Sequence, residues 1–85
     1  MGDQVVIVMD YGSRDLTRLY QLEDELGVIA KQASSGELDG HEVTIDGRKA
    51  TIYMKSVDAD RLIAAIRPVL KSHDFSRDAH ISLDR

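Results

Sequence analysis

The stretch His41-Glu42-Val43-Thr44-Ile45-Asp46-Gly47-Arg48-Lys49-Ala50-Thr51-Ile52-Tyr53-Met54-Lys55 decides the fold. Side chains on a strand point alternately to its two faces. His41, Val43 and Ile45 alternate with Glu42, Thr44 and Asp46, and Ala50, Ile52 and Met54 alternate with Thr51, Tyr53 and Lys55. Asp46-Gly47 between the two runs is a hairpin turn signal, because glycine tolerates the positive φ such turns require. The segment predicts two antiparallel strands that share one apolar face. Just upstream, Asp39-Gly40 predicts a kink or bulge, which leaves open whether Leu38 joins that face.

Each side of the hairpin carries a helix. Leu16, Leu19, Leu22, Leu26, Ile29 and Ala33 recur at three- and four-residue steps, one helical stripe. Ser13 is the expected cap, with Asp15 in the first turn where it favours the macrodipole. Gly27 weakens this helix by about 1 kcal/mol relative to alanine, and Ser34-Ser35-Gly36 ends it. On the other side Asp58 caps a helix from Ala59 to about Ser72, with Leu62, Ala65, Ile66 and Val69 as its buried stripe and Ile63 and Leu70 flanking. Pro68 removes one backbone bond, to the carbonyl of Ala64, and predicts a kink in the last turn. Lys71 and His73 suit the negative end of the dipole.

The outermost segments complete the pattern. Val5-Val6-Ile7-Val8-Met9 is apolar at every position, as a central strand covered on both sides would be. Ala79, Ile81 and Leu83 alternate with His80, Ser82 and Asp84 as a half-buried last strand. Strand, helix, strand, strand, helix, strand is the split β-α-β signature. Right-handed crossovers then give a four-stranded antiparallel sheet in the order 4-1-3-2, an α+β sandwich with both helices on one face. The order resembles the ferredoxin-like group, which hosts many unrelated functions, so function has to be read from sites.

Bulk properties narrow the choice. Eighty-five residues make a single domain, 1–85. A chain of this size buries roughly 60–65% of the surface its unfolded state exposes, enough for one shared core and little more. The absence of cysteine excludes thiolate metal sites, thiol nucleophiles, redox dithiols and disulfide-stapled folds. The start, Met1-Gly2-Asp3-Gln4 before a short apolar run, lacks the basic residues and the apolar stretch of about 7–15 residues of a signal peptide. It also falls short of the about 20 apolar residues of a membrane helix. A cytoplasmic protein of bacterial style with no membrane partner is expected. The net charge of −4, with Glu23-Asp24-Glu25 and then Glu37, Asp39, Glu42 and Asp46, argues against nucleic acid. It suits a basic protein partner, or simply a solvated acidic face.

Familiar functions of this architecture lack their residues. RNA-binding domains of this shape stack bases on aromatics of the central strands, and Tyr53 is the only aromatic in either central run. Metal chaperones need a cysteine pair. Acylphosphatases need a phosphate-cradling loop after the first strand; Tyr11-Gly12-Ser13-Arg14 stands there with one glycine and one arginine, and the third strand lacks the expected asparagine. From about Asp10 to Leu83 the chain resembles a group of short uncharacterised bacterial proteins. Gly36-Glu37-Leu38-Asp39-Gly40-His41-Glu42, Asp58-Ala59-Asp60-Arg61-Leu62 and Pro68-Val69-Leu70 carry that likeness. The hairpin of those proteins is more glycine-rich than Ile45-Asp46-Gly47-Arg48-Lys49, and the resemblance implies the fold without a mechanism.

The candidate site is Asp39-Gly40-His41-Glu42. As a metal site it offers one imidazole and a few carboxylates, whereas a non-haem iron triad needs two histidines and a carboxylate. His80 on the opposite edge would stand about 14 Å away at ~4.8 Å per strand, so no metal or cofactor is expected. His41 with Asp39 forms either an acid–base pair or, structurally, a cap on the core hydrogen-bonded to a nearby carboxylate or carbonyl. Tyr53 is placed on the face away from the helices, with Thr44, Thr51 and one alternate set from the first strand, either Val6 and Val8 or Val5, Ile7 and Met9. Apolar residues on both sides of that strand imply a cover: a second copy, a partner protein or an apolar ligand. The alternative is an exposed Tyr53 on a monomer. The candidate binding residues are Asp39, His41, Glu42, Thr44 and Tyr53, with no catalytic residue assigned. They point to a non-enzymatic, dimeric interaction module using the open face and the acidic second strand, for instance an immunity-type protein neutralising a basic toxin. A small-molecule sensor with its ligand at a dimer interface comes second, and an enzyme centred on Asp39, His41 and Glu42 third.

Overall fold

The computed structural model describes residues 3–84. Its elements follow the order β1 (Asp3–Asp10), α1 (Thr17–Gln32), β2 (Gly36–Val43), β3 (Lys49–Ser56), α2 (Ala59–Lys71) and β4 (His80–Asp84). The four strands form one antiparallel sheet in the order β2-β3-β1-β4, the expected order read from the other edge. β1 is central, paired with β3 on one side and with β4 on the other. Val5, Ile7 and Met9 point into the core, opposite Met54, Ile52 and Ala50 of β3, and all six are buried. Both helices cover that face: α1 contributes Leu19, Leu22, Leu26 and Ala30, and α2 contributes Ala59, Leu62, Ile66 and Leu70. Val6 and Val8 point to the opposite, helix-free face, which settles which alternate set of the first strand lies there.

Several local details differ from the sequence pattern. Helix α1 starts at Thr17, and Ser13 does not cap it. Ser13 Oγ instead accepts from the backbone N–H of Asp15, and the Asp15 carboxylate accepts from the N–H and hydroxyl of Thr17 at 3.0 and 2.8 Å. Asp15, rather than Ser13, thus satisfies a free N–H at the start of the helix. β2 ends at Val43, so Ile45 leaves the apolar face and stands 99% exposed in the hairpin loop. On α2 the fully buried row is Leu62, Ile66 and Leu70, at four-residue steps, and Val69 takes the flanking role assigned to Leu70. Asp58 does cap α2, accepting from the N–H of Arg61 at 3.2 Å, and the helix continues through Pro68 to Lys71. The segment before β4 folds inward. Phe75 meets the Tyr11 ring edge-on at 5.3 Å, the Arg18 guanidinium lies 4.7 Å above Phe75, and buried Ser76 donates to Leu70 O at 2.6 Å.

The hairpin is fastened to the loop after β1. Tyr11 and Ser13 donate their backbone N–H groups to Arg48 O and Gly47 O at 2.7 and 3.0 Å. Gly47 has φ +73°, and a Cβ there would run into the Ser13 carbonyl oxygen. Gly47→Ala is therefore expected to cost about 1–3 kcal/mol from the left-handed backbone alone, and more from the collision. The midpoint of urea unfolding checks this, and an unshifted midpoint would contradict it.

Candidate functional site

β2 pairs regularly with β3 from Gly36 to Leu38 and again from Gly40 to Val43, and Asp39 is the extra residue of a bulge between them. Gly40 follows with φ +128°, a conformation few side-chain-bearing residues adopt, which explains glycine at that place. The bulge sorts the candidate residues between faces. On a regular strand Asp39 and His41 would share a side, two residues apart. Here Asp39 turns to the open face, where Oδ1 lies 3.4 Å from Lys55 Nζ and Oδ2 accepts from Gln4 Nε2 at 3.4 Å. His41, opposite Ile52, points to the helix side. The acid–base pair of His41 with Asp39 is not formed.

His41 meets α1 instead. Its Nδ1 stands 2.6 Å from Oε1 of Glu23, and the Tyr20 ring lies 5.6 Å from the imidazole. Glu23 is 7% exposed, and the polar group beside its buried Oε1 is His41 Nδ1. Burial pushes the Glu23 carboxyl above its ordinary value; His41 opposes the shift and the neighbouring Asp24 adds to it. The sequence carried a signal for Glu23, which stands four residues after Leu19 and three before Leu26, inside the apolar stripe.

The open face has another composition. Val6, Val8, Thr51 and Tyr53 form its half-buried centre. Glu42, opposite Thr51, reaches Tyr53 from the edge strand. Partial burial holds the Tyr53 phenol above its ordinary value, and the charge of Glu42 and a hydrogen bond to it act in the same direction. At the two ends of the face, Lys49 lies 3.6 Å from Asp10 and Lys55 lies beside Asp39. Thr44 is not on this face. It belongs to the hairpin turn, where its hydroxyl donates to Asp46 at 2.7 Å and accepts from the N–H of Lys49 at 3.1 Å. The backbone N–H of Arg48, and then the Thr44 hydroxyl, hold the Asp46 carboxyl below its ordinary value.

The structure thus brings Glu42 and Tyr53 together with Val6 and Val8, leaves Asp39 at one end of the same face, and sends His41 and Thr44 elsewhere. Among the described residues no group of three or more histidines and carboxylates is arranged to hold a metal ion, and no helix is long and apolar enough to cross a membrane.

The Glu23 shift has a definite sign. A folded-state value above the unfolded one means that the folded chain holds the proton more tightly. The resulting stability is fully present below the ordinary value of 4.5 and is lost as pH rises through the raised value. Glu23→Gln removes this titration. Urea unfolding of both proteins from about pH 4 to about pH 8 should show the variant gaining on the wild type as pH rises. A constant difference would contradict the assignment.

No protein-family model and no curated protein matches the chain in sequence. Among solved structures, the fold is similar to the one described as "Structure of Rv0793 from Mycobacterium tuberculosis", with a TM-score of 0.55 and 11% sequence identity, over 98% of this chain and 93% of that one. At that identity the likeness concerns the fold alone, the α+β arrangement of two helices on one face of a four-stranded antiparallel sheet.

Proposed function

We propose that the chain is a non-enzymatic interaction module of the bacterial cytoplasm, working as a homodimer closed through the open face of its sheet. One observation carries the reading: Val6 and Val8 occupy the middle of the sheet on the side that neither helix covers, beside Thr51 and Tyr53. Water in contact with a contiguous apolar centre is unfavourable, and a second identical face is a ready cover. Stacked sheets lie about 10 Å apart, a gap that valine and tyrosine side chains from two faces fill. A two-fold dimer needs only this one patch, because an isologous interface uses the same surface on both subunits.

The other readings draw less from the geometry. An enzyme centred on Asp39, His41 and Glu42 would have to work with His41 on the opposite face from the other two. A basic partner would find an acidic strand already engaged in part, with Asp39 at Lys55. A ligand-sensing domain would use the same face, with the ligand held at the interface between two copies.

Sedimentation equilibrium should give twice the mass of one chain. Val8→Lys places a charge in the middle of the contact and should raise the dissociation constant about a hundredfold or more, with the far-ultraviolet circular dichroism unchanged. A wild type that stays monomeric at high concentration would end this reading, and a dimer stabilised against heat by an added metabolite would favour the sensor.

A further inference from the structure

We infer that the groove between α1 and β2 docks a segment of a partner protein in which a large apolar residue stands next to lysine or arginine. The groove lies away from the open face of the sheet, so the inference goes beyond the dimer proposed above and does not depend on it.

The groove has a volume of about 290 Å³, and Gly27, Val28 and Leu38 give it an apolar floor. Val28 stands 56% exposed and Leu38 36%. Val28 also borders a second hollow of about 310 Å³, formed with Ile29 and Val69. Two hollows on either side of one valine suit two apolar side chains of a single segment. Each is at the lower end of the volumes that hold small molecules, roughly 300–1,000 Å³, which favours side chains over a whole cofactor.

Gly27 is the observation that points to an occupant. It sits in the middle of α1, where glycine is the poorest helix former after proline. A Cβ built at Gly27 meets no atom of the chain within 4 Å, whereas at Gly36 and Gly47 it would collide with the carbonyl oxygens of Lys55 and Ser13. Those two glycines serve the fold. Neither the backbone of α1 nor packing within the chain calls for glycine at position 27. Its effect is to keep the floor of the groove low, so that another chain can come close to the helix.

Charge sets the chemistry of that chain. Glu23, Asp24 and Glu37 line the groove with Lys31, three carboxylates to one ammonium. Glu23 is met from within, since His41 Nδ1 stands 2.6 Å from its Oε1. Asp24 and Glu37 are exposed, and among the described residues neither has an ion pair. An acidic segment would add to this surplus, and a basic one offsets it. A second copy of the chain, at net charge −4, is the poorer match.

The test is fluorescence anisotropy of the full chain with a short labelled peptide of alternating leucine and lysine. Leucine–glutamate and serine–lysine peptides of the same length serve as controls, and only the leucine–lysine peptide should bind. Asp24→Lys should weaken that binding about tenfold. Gly27→Leu should weaken it at least as much, because its side chain fills the groove. The same variant should raise the midpoint of urea unfolding, since leucine favours helix more than glycine does, so lost binding cannot come from lost folding. Val8→Lys, on the open face, should bind like the wild type, which separates this site from the dimer. No binding by the wild type, equal binding of the glutamate peptide, or undiminished binding by Gly27→Leu or Asp24→Lys overturns the inference. A Gly27→Leu chain whose sedimenting mass falls would place a second copy in the groove and overturn it as well.

Discussion

The pairing of β1 with a strand on each side sets the terms for the whole molecule. β3 and β4 take up its hydrogen bonds along nearly its full length, so its side chains can leave only through the two faces of the sheet. On one face Val5 and Ile7 are fully buried, and burying each is worth about 1.5–3 kcal/mol. The helices go to that face together because right-handed crossovers from β1 and from β3 deliver them to the same side. The same rule leaves the other face uncovered. A strand apolar at every position, central in a sheet with one covered face, must present apolar side chains to whatever lies opposite. Val6 and Val8 follow from the topology as directly as the core does.

The bulge at Asp39 has a wider effect than its single extra residue. It places the carboxylate beside Lys55 and Gln4 and lets His41 turn under α1, where it meets a buried Glu23. It also bears on how the sheet can associate. An edge strand exposes unpaired backbone groups that invite another strand, and bulges or short length are common ways to blunt it. β2 carries the bulge, and β4 is five residues long. Both edges are poor templates for extension, which turns attention from the edges to the face.

Periodicity was enough to place every strand and helix, because side-chain direction is what a repeat of 2 or 3.6 records. It was a weaker guide to what stands opposite a side chain. Ile45 continues the alternation of β2 but falls past its end, since the hairpin loop opens at Thr44, whose hydroxyl and N–H are tied to Asp46 and Lys49. Phe75 sits in a segment that reads as polar loop, and only the fold brings it against Tyr11 and Arg18 to close one end of the core. For the candidate site, the sequence showed that His41 and Glu42 should diverge and that Tyr53 should face away from the helices. The direction of Asp39 depended on a bulge whose effect no period encodes.

Electrostatics leads to the same face by subtraction. The net charge of −4 suggests a broad acidic surface when the chain is read in one dimension. Folding pairs part of that charge: Asp10 lies beside Lys49, Asp39 beside Lys55 and Asp46 beside Arg48. Exposed pairs of this kind contribute little to stability, about 0–1 kcal/mol each. They do shorten the range over which an acidic field acts, so a basic partner would meet less negative potential than the composition implies. The apolar centre formed by Val6, Val8 and Tyr53 has no such compensation within one chain. Two helices cannot reach it, and the charged groups at its ends are occupied with one another.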